Sequence, residues 1–272
     1  MTHTLSALLP AVTSAHSPTA WQIFASEFFG TTILLLLGVG VVANNLLRKT
    51  KGNNTGFLMV NFAWGFAVMA GVYCAYLTGG HLNPAVTLGK VIMYALDPAT
   101  TLNGPAIGEG GVAVTFANVC IYIVAQMLGG FVGAVLAWLA YKQHYDEDLD
   151  PALKLGTFCT APEIRNSVWN FVTEFIGTFV LMAWILVSGG TQTATGPLGV
   201  ALIIVVIGSS LGGPTGYAIN PARDLSPRIA HAILPIKGKG GSDWGYAWVP
   251  VVAPLAGAMV APLVVSALQL LP

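Results

Sequence analysis

Asn83-Pro84-Ala85 and Asn220-Pro221-Ala222 are two copies of one triplet, each set in a stretch otherwise apolar enough to lie in a bilayer. The residue types suit the start of a helix. Asparagine is a good N-cap, because its side-chain oxygen accepts from the first free backbone N–H groups. Proline in the next position costs nothing, since the N–H it lacks would have no helical partner there. The chemistry on offer is hydrogen bonding, with no proton or electron transferred. Donors come from the Asn83 and Asn220 amides. Acceptors come from peptide oxygens just before each asparagine: Gly79, Gly80 and His81 in one copy, Tyr217, Ala218 and Ile219 in the other. Irregular backbone of this kind at membrane depth needs a polar cavity beside it.

Other side chains near the triplets carry more than one reading. Arg223 falls in the first turn after Pro221, where the helix dipole disfavours a cation. It could snorkel or pair with Asp224; the adjacent triplet favours a place on the cavity. Glu27 and Glu174 are intramembrane carboxylates. They could couple an ion or relay protons. They could instead accept from the irregular backbone, and one Glu for each broken segment favours this second role. His81 reads as a fixed hydrogen-bonding group. On sequence alone Trp64 is an ordinary packing or interface aromatic. His3, His16, His81, His144 and His231 are scattered without metal-ligand spacing, and Cys74, Cys120 and Cys159 are few and far apart. No phosphate loop, dinucleotide motif or nucleophile–base pair is present. Neither a metal, a cofactor nor an enzyme activity is expected, and a zero net charge gives no reason to expect nucleic acid.

The elements that must position these groups are helices in lipid. The 272-residue chain is 55% hydrophobic and 8% charged, with a mean hydropathy of +0.73, against about 25% charged in soluble domains. Six stretches suit a spanning helix of roughly 20 apolar residues: Trp21–Leu47, Gly56–Leu77, Val112–Tyr141, Val168–Gly189, Gly196–Leu211 (the shortest) and Tyr246–Leu270. Pro84–Tyr94 and Pro221–Leu234 are only about 16 and 21 Å long as helices, too short to cross alone but long enough end to end. Glu27-Phe28-Phe29-Gly30-Thr31 matches Glu174-Phe175-Ile176-Gly177-Thr178, and Gln126 and Gly129 align with Pro254 and Gly257. Two halves, about 21–141 and 168–270, thus repeat as three spans and one half-helix each. An odd number of crossings inverts the second half. The fold class expected is an all-α membrane protein, six spans plus two half-helices in one domain over 1–272. The Gly and Ala of the third and sixth spans read as packing residues. Lys142–Asn166 reads as a plain solvated loop. The first twenty residues lack Lys and Arg and a long apolar core, so no cleaved signal peptide is expected.

Gly-His-Leu-Asn-Pro-Ala-Val-Thr at 80–87 and Gly-Tyr-Ala-Ile-Asn-Pro-Ala-Arg-Asp at 216–224 resemble the two signatures of the aquaporin superfamily, the major intrinsic proteins. The resemblance runs from about Trp21 to Leu270. Asp224, Arg228 and Pro254-Leu255 are similar to the glycerol-facilitator branch. This resemblance implies a right-handed helical bundle and a narrowest point built from Trp64, Gly208, Tyr217 and Arg223. Trp64 and Tyr217 would face a solute's carbons, Arg223 and the freed carbonyls its hydroxyls, and Gly208 would leave one wall open. It implies a passive channel for glycerol, other small neutral solutes and water, closed to ions and protons. Facilitators often carry Phe where this chain has Tyr217, which keeps other readings open: a water-selective pore, or one mainly for urea, dihydroxyacetone, hydrogen peroxide or protonated lactic acid. An ion-coupled transporter is a further alternative. A homotetramer in the plasma membrane, surrounded by lipid and with cytoplasmic termini, is also implied. Lys/Arg counting opposes that orientation, because Arg48–Lys51, Lys142–Arg165 and Lys237–Lys239 share the other face.

Overall fold

The computed structural model describes residues 16–191, 193 and 195–272. His3 and most of the segment read for a signal peptide lie outside the described residues. Ten α-helices follow in order among the described residues: α1 (Ala20–Leu46), α2 (Phe57–Cys74), α3 (Pro84–Leu96), α4 (Phe116–Ala140), α5 (Lys142–Tyr145), α6 (Pro151–Phe158), α7 (Ser167–Val187), α8 (Pro197–Leu211), α9 (Pro221–Ile233) and α10 (Val249–Ala267). Five of them, α1, α2, α4, α7 and α10, are long and apolar enough to cross a membrane. The sixth, α8, has 15 residues, or roughly 22 Å, against a hydrocarbon core of about 30 Å. It packs along α2 and α7, which cover its flanks.

Local chemistry sets the helix starts. Thr19 and Gln22 form a reciprocal capping box on α1. Asn166 accepts from the backbone N–H groups of Val168 and Trp169 to open α7. Asn83 accepts from Ala85 N, and Asn220 from Ala222 N and Arg223 N, with Pro84 and Pro221 in the first turn. The half-helices therefore begin where the triplets predict.

Tight packing pairs α1 with α4 and α7 with α10. Glycines set these distances. A Cβ on Gly129 would lie 2.4 Å from the Phe28 carbonyl oxygen, and one on its counterpart Gly257 2.4 Å from the Phe175 oxygen. Such contacts let backbones touch where lipid supplies no hydrophobic drive. Packing is crossed for the half-helices: α3 lies against α10, and α9 against α4. Each half-helix thus docks on the last span of the other half.

One expectation is corrected. Residues 142–166 are not a plain solvated loop: they form α5 and α6, and Tyr145, Lys154, Phe158 and Cys159 are buried. A largely polar composition hid this because its few apolar residues converge only in three dimensions. Tyr145 and Phe158 join the core of α1, α2 and α4. Several basic residues of this face also have local partners. Lys49 pairs with Glu147 at 2.8 Å, and this hydrogen bond holds the Glu147 carboxyl below the usual carboxylate range. Arg165 pairs with Asp243 at 2.5 Å. Lys239 Nζ donates to the carbonyls of His231, Ala232 and Leu234 at the end of α9, where a cation also suits the dipole.

Candidate functional site: a lined passage where two half-helices meet

The two triplets hold each other. Asn83 Nδ2 donates to the Ile219 carbonyl at 2.9 Å, and Asn220 Nδ2 donates to the Leu82 carbonyl at 2.8 Å. The N-termini of α3 and α9 therefore abut. An amide nitrogen carries two hydrogens, so one N–H of each asparagine remains for a third party.

Two carboxylates fix the segments leading into the triplets. Glu27 Oε1 accepts from Thr78 Oγ1 at 2.6 Å and His81 N at 3.0 Å; its Oε2 accepts from Leu82 N and Gln126 Nε2, both at 2.8 Å. Glu174 repeats the pattern with Thr215 Oγ1 at 2.7 Å, Ala218 N at 2.9 Å and Ile219 N at 2.8 Å. Among the described residues it has no fourth partner; Pro254 stands where the first half has Gln126. These bonds hold Leu82 (φ 52°), Tyr217 (φ 38°) and Ile219 (φ 43°) in the left-handed region, which is costly for a β-branched residue such as Ile219. With the N–H groups pulled toward Glu27 and Glu174, the carbonyls turn the other way. The oxygens of Gly79, Gly80, His81, Tyr217 and Ala218 have no hydrogen-bond donor among the described residues. The sixth expected acceptor, Ile219, already receives Asn83. Leu82, its counterpart, was absent from the sequence-derived set, which ran out of register between the halves by one residue. Aligning on the triplets rather than on the glycines would have found it.

His81 is fixed between Leu102 O (Nε2, 2.7 Å) and Thr87 Oγ1 (Nδ1, 3.0 Å). Donation to the carbonyl places the proton on Nε2 and makes Nδ1 the acceptor.

A cavity, partly open to solvent, runs past these groups. Leu34, Val68, Val72, Val86, Leu181 and Ile204 supply an apolar wall. The loop residues Gly79–Asn83 and Tyr217–Asn220 supply the polar one, with Arg223 at one end. Desolvation along one edge and hydrogen bonding along the other suit a small neutral amphiphile.

At the Arg223 end the structure rearranges the expected quartet. Arg223 does not pair with Asp224; its Cζ sits 4.1 Å from the centre of the Trp64 ring, a cation–π contact. Asp224 instead accepts from Arg228 Nη2 at 2.8 Å and, through Oδ2, from Thr160 N and Oγ1, each at 2.7 Å. Trp64 is seated against Gly38, where a Cβ would fall 2.2 Å from its Cζ3. Gly208 does not line the cavity. The room it leaves holds the ring of Tyr217: a Cβ on Gly208 would meet Tyr217 Cζ at 2.7 Å. The wall expected to be open is thus occupied, because a buried aromatic fills space that a glycine creates. The cavity-lining side chains of Trp64, Tyr217 and Arg223 come together; Lys90 also lines the cavity, and nothing in its local sequence marks it.

Comparison with known proteins agrees with this geometry. The family model described as "Major intrinsic protein" matches residues 14–265. A "Probable glycerol uptake facilitator protein" of Thermotoga maritima is 46% identical over 242 residues, covering 88% of this chain and 96% of its own. "Glycerol uptake facilitator protein 3" of Lactiplantibacillus plantarum is 44% identical over 254 residues, covering 92% and 98%. Among solved structures, the aquaglyceroporin from Plasmodium falciparum superimposes with a TM-score of 0.73 at 29% identity, covering 91% of this chain and 96% of that one. A family match over nearly the whole sequence, joined to two abutting half-helices beside a lined cavity, makes this chain a multi-pass membrane protein of the major intrinsic protein family.

Proposed function

We propose that the chain is a passive channel conducting glycerol and other small uncharged solutes, with water, and excluding ions and protons. One observation carries the reading: a cavity lined by apolar side chains together with five carbonyls that are donor-free among the described residues and two asparagine amides. These groups replace a hydroxylated solute's hydration shell in file while its carbons slide on the apolar side. The names of the relatives at 44–46% identity point the same way. Trp64, Tyr217 and Arg223 form the narrowest point, with Gly208 acting through the seat it gives Tyr217. Glu27, Glu174 and Asp224 are structural supports. The chain works as one transmembrane domain in the plasma membrane, as a homotetramer with lipid on its outer apolar faces, both termini cytoplasmic, and no cofactor, nucleic acid or catalysis involved.

Purified protein in liposomes is expected to speed glycerol entry in stopped-flow swelling at least tenfold over empty vesicles. The rate should be the same with or without sodium and proton gradients. Uptake that follows an ion gradient would sink the channel reading in favour of coupled transport. A second reading, conduction mainly of water, draws on Tyr217 filling the space beside Gly208. A side-by-side panel of water, glycerol, urea, dihydroxyacetone, hydrogen peroxide and lactic acid separates the two.

Gly208→Ala tests the constriction directly. Its methyl cannot coexist with the Tyr217 ring as placed, so the ring must move within the cavity it lines. Glycerol flux is expected to fall about tenfold and water flux less, with Gly208→Ala/Tyr217→Phe recovering only part of the loss, because the ring and not its hydroxyl makes the clash. Unchanged glycerol flux in Gly208→Ala would mean the narrowest point lies elsewhere.

A further inference from the structure

We propose that Lys90 is a second cation barrier of this pore, on the far side of the paired asparagines from Arg223. The cavity lining contains two basic side chains, Arg223 and Lys90. Because the N-termini of α3 and α9 abut, the helices run apart from their contact. Arg223 lies in the first turn of α9, and Lys90 lies about two turns along α3. The two cations therefore sit in opposite vestibules.

Lys90 has no structural employment that explains it. It is half-buried, and among the described residues its ammonium makes no hydrogen bond or ion pair, unlike Lys49, Lys142, Lys154 and Lys239. The acids on its side of the protein, Asp97 and Glu109, are exposed and form no ion pair among the described residues. Glu27 and Glu174 are turned away from the cavity into their backbone donors. Among the described residues no carboxylate lines the passage, so the positive potential of Lys90 is uncompensated inside low-dielectric walls, where such a potential is focused. A lysine placed only to cover apolar surface would carry its head out to water; this one lines the passage. Neutral solutes pass an ammonium and can donate lone pairs to it. A cation or a hydrated proton is repelled.

The proposal rests on the conduction reading, and the test separates them. Ion leak is measured in liposomes under an imposed potassium diffusion potential, with an internal pH dye, and is normalised to glycerol flux in the same vesicles. Removing Arg223 alone leaves Lys90 as the remaining side-chain barrier. Arg223→Val/Lys90→Met is expected to leak about tenfold more than Arg223→Val, whereas Arg223→Val/Lys90→Arg should leak no more than Arg223→Val. A ratio below threefold, or an arginine variant as leaky as the methionine one, overturns the proposal. Lys90→Gln replaces Lys90→Met in the same comparison if the latter does not give a monodisperse protein. Absence of glycerol flux through the unaltered chain would instead defeat the conduction reading itself.

Discussion

Glu27→Gln and Glu174→Gln are each expected to lower the yield and stability of the folded protein sharply. Replacing one carboxylate oxygen by an amide sets N–H against N–H. At Glu27 each oxygen serves one backbone N–H, His81 N or Leu82 N, so at least one hydrogen bond is lost whichever way the amide points, while the Thr78 hydroxyl can turn to accept. A lost bond to a charged group costs about 1.5–3 kcal/mol, against a total stability of about 5–15 kcal/mol for a typical domain. At Glu174 the oxygens serve Ala218 N and Ile219 N in the same way, so the cost is similar, about 1.5–3 kcal/mol. Either loss loosens the segment leading into its triplet, so carbonyl alignment goes with stability. The check is thermal unfolding in detergent beside size-exclusion yield. If Glu27→Gln folds as well as the parent and only alters an ion dependence, these carboxylates are coupling groups and not braces.

Arg228→Met should be comparably severe. Arg228 is fully buried. It donates to Asp224 through Nε and Nη2, to Thr160 O at 2.9 Å, and to Ser242 O and Asp243 O at 2.9 and 3.1 Å. A single guanidinium therefore ties α9 to the segments on both sides of it in sequence. Methionine keeps the volume but strands the Asp224 charge and three carbonyls, at a cost of about 3–5 kcal/mol. Lysine cannot restore the fork of five donors, so Arg228→Lys should melt nearer to the methionine variant than to the parent. Adding Asp224→Leu to Arg228→Met should recover part of the loss, since removing both partners is cheaper than orphaning one. An Arg228→Met protein melting within about 2 °C of the parent would show that the cluster is dispensable.

Much of this architecture was legible in advance because it rests on local rules. Asn83-Pro84 and Asn220-Pro221 are N-cap and first-turn signals wherever they occur, and α3 and α9 begin there. Span lengths follow from runs of apolar residues, with ends displaced by a few residues: Gly56–Leu77 is expected and Phe57–Cys74 is helical, with Tyr76–Thr78 tightening into a 3₁₀ turn. Side-chain placement at the narrowest point was less legible. That Tyr217 fills the room beside Gly208, and that Arg223 stacks on Trp64, depends on contacts between distant segments. Lys90 escaped notice for a related reason: a solitary lysine in an apolar helix has the same sequence appearance whether it faces lipid, headgroups or an internal passage.

The reciprocal grip of Asn83 on Ile219 and of Asn220 on Leu82 joins residues 136 and 138 positions apart. At a ribosomal rate of about 5–20 residues per second, Leu82 and Asn83 emerge on the order of ten seconds before their partners are made. During that interval the first re-entrant segment has neither its mate nor α10 to lie against. A ribosome halted after α8 would therefore leave five spans and α3 around an unfinished seam.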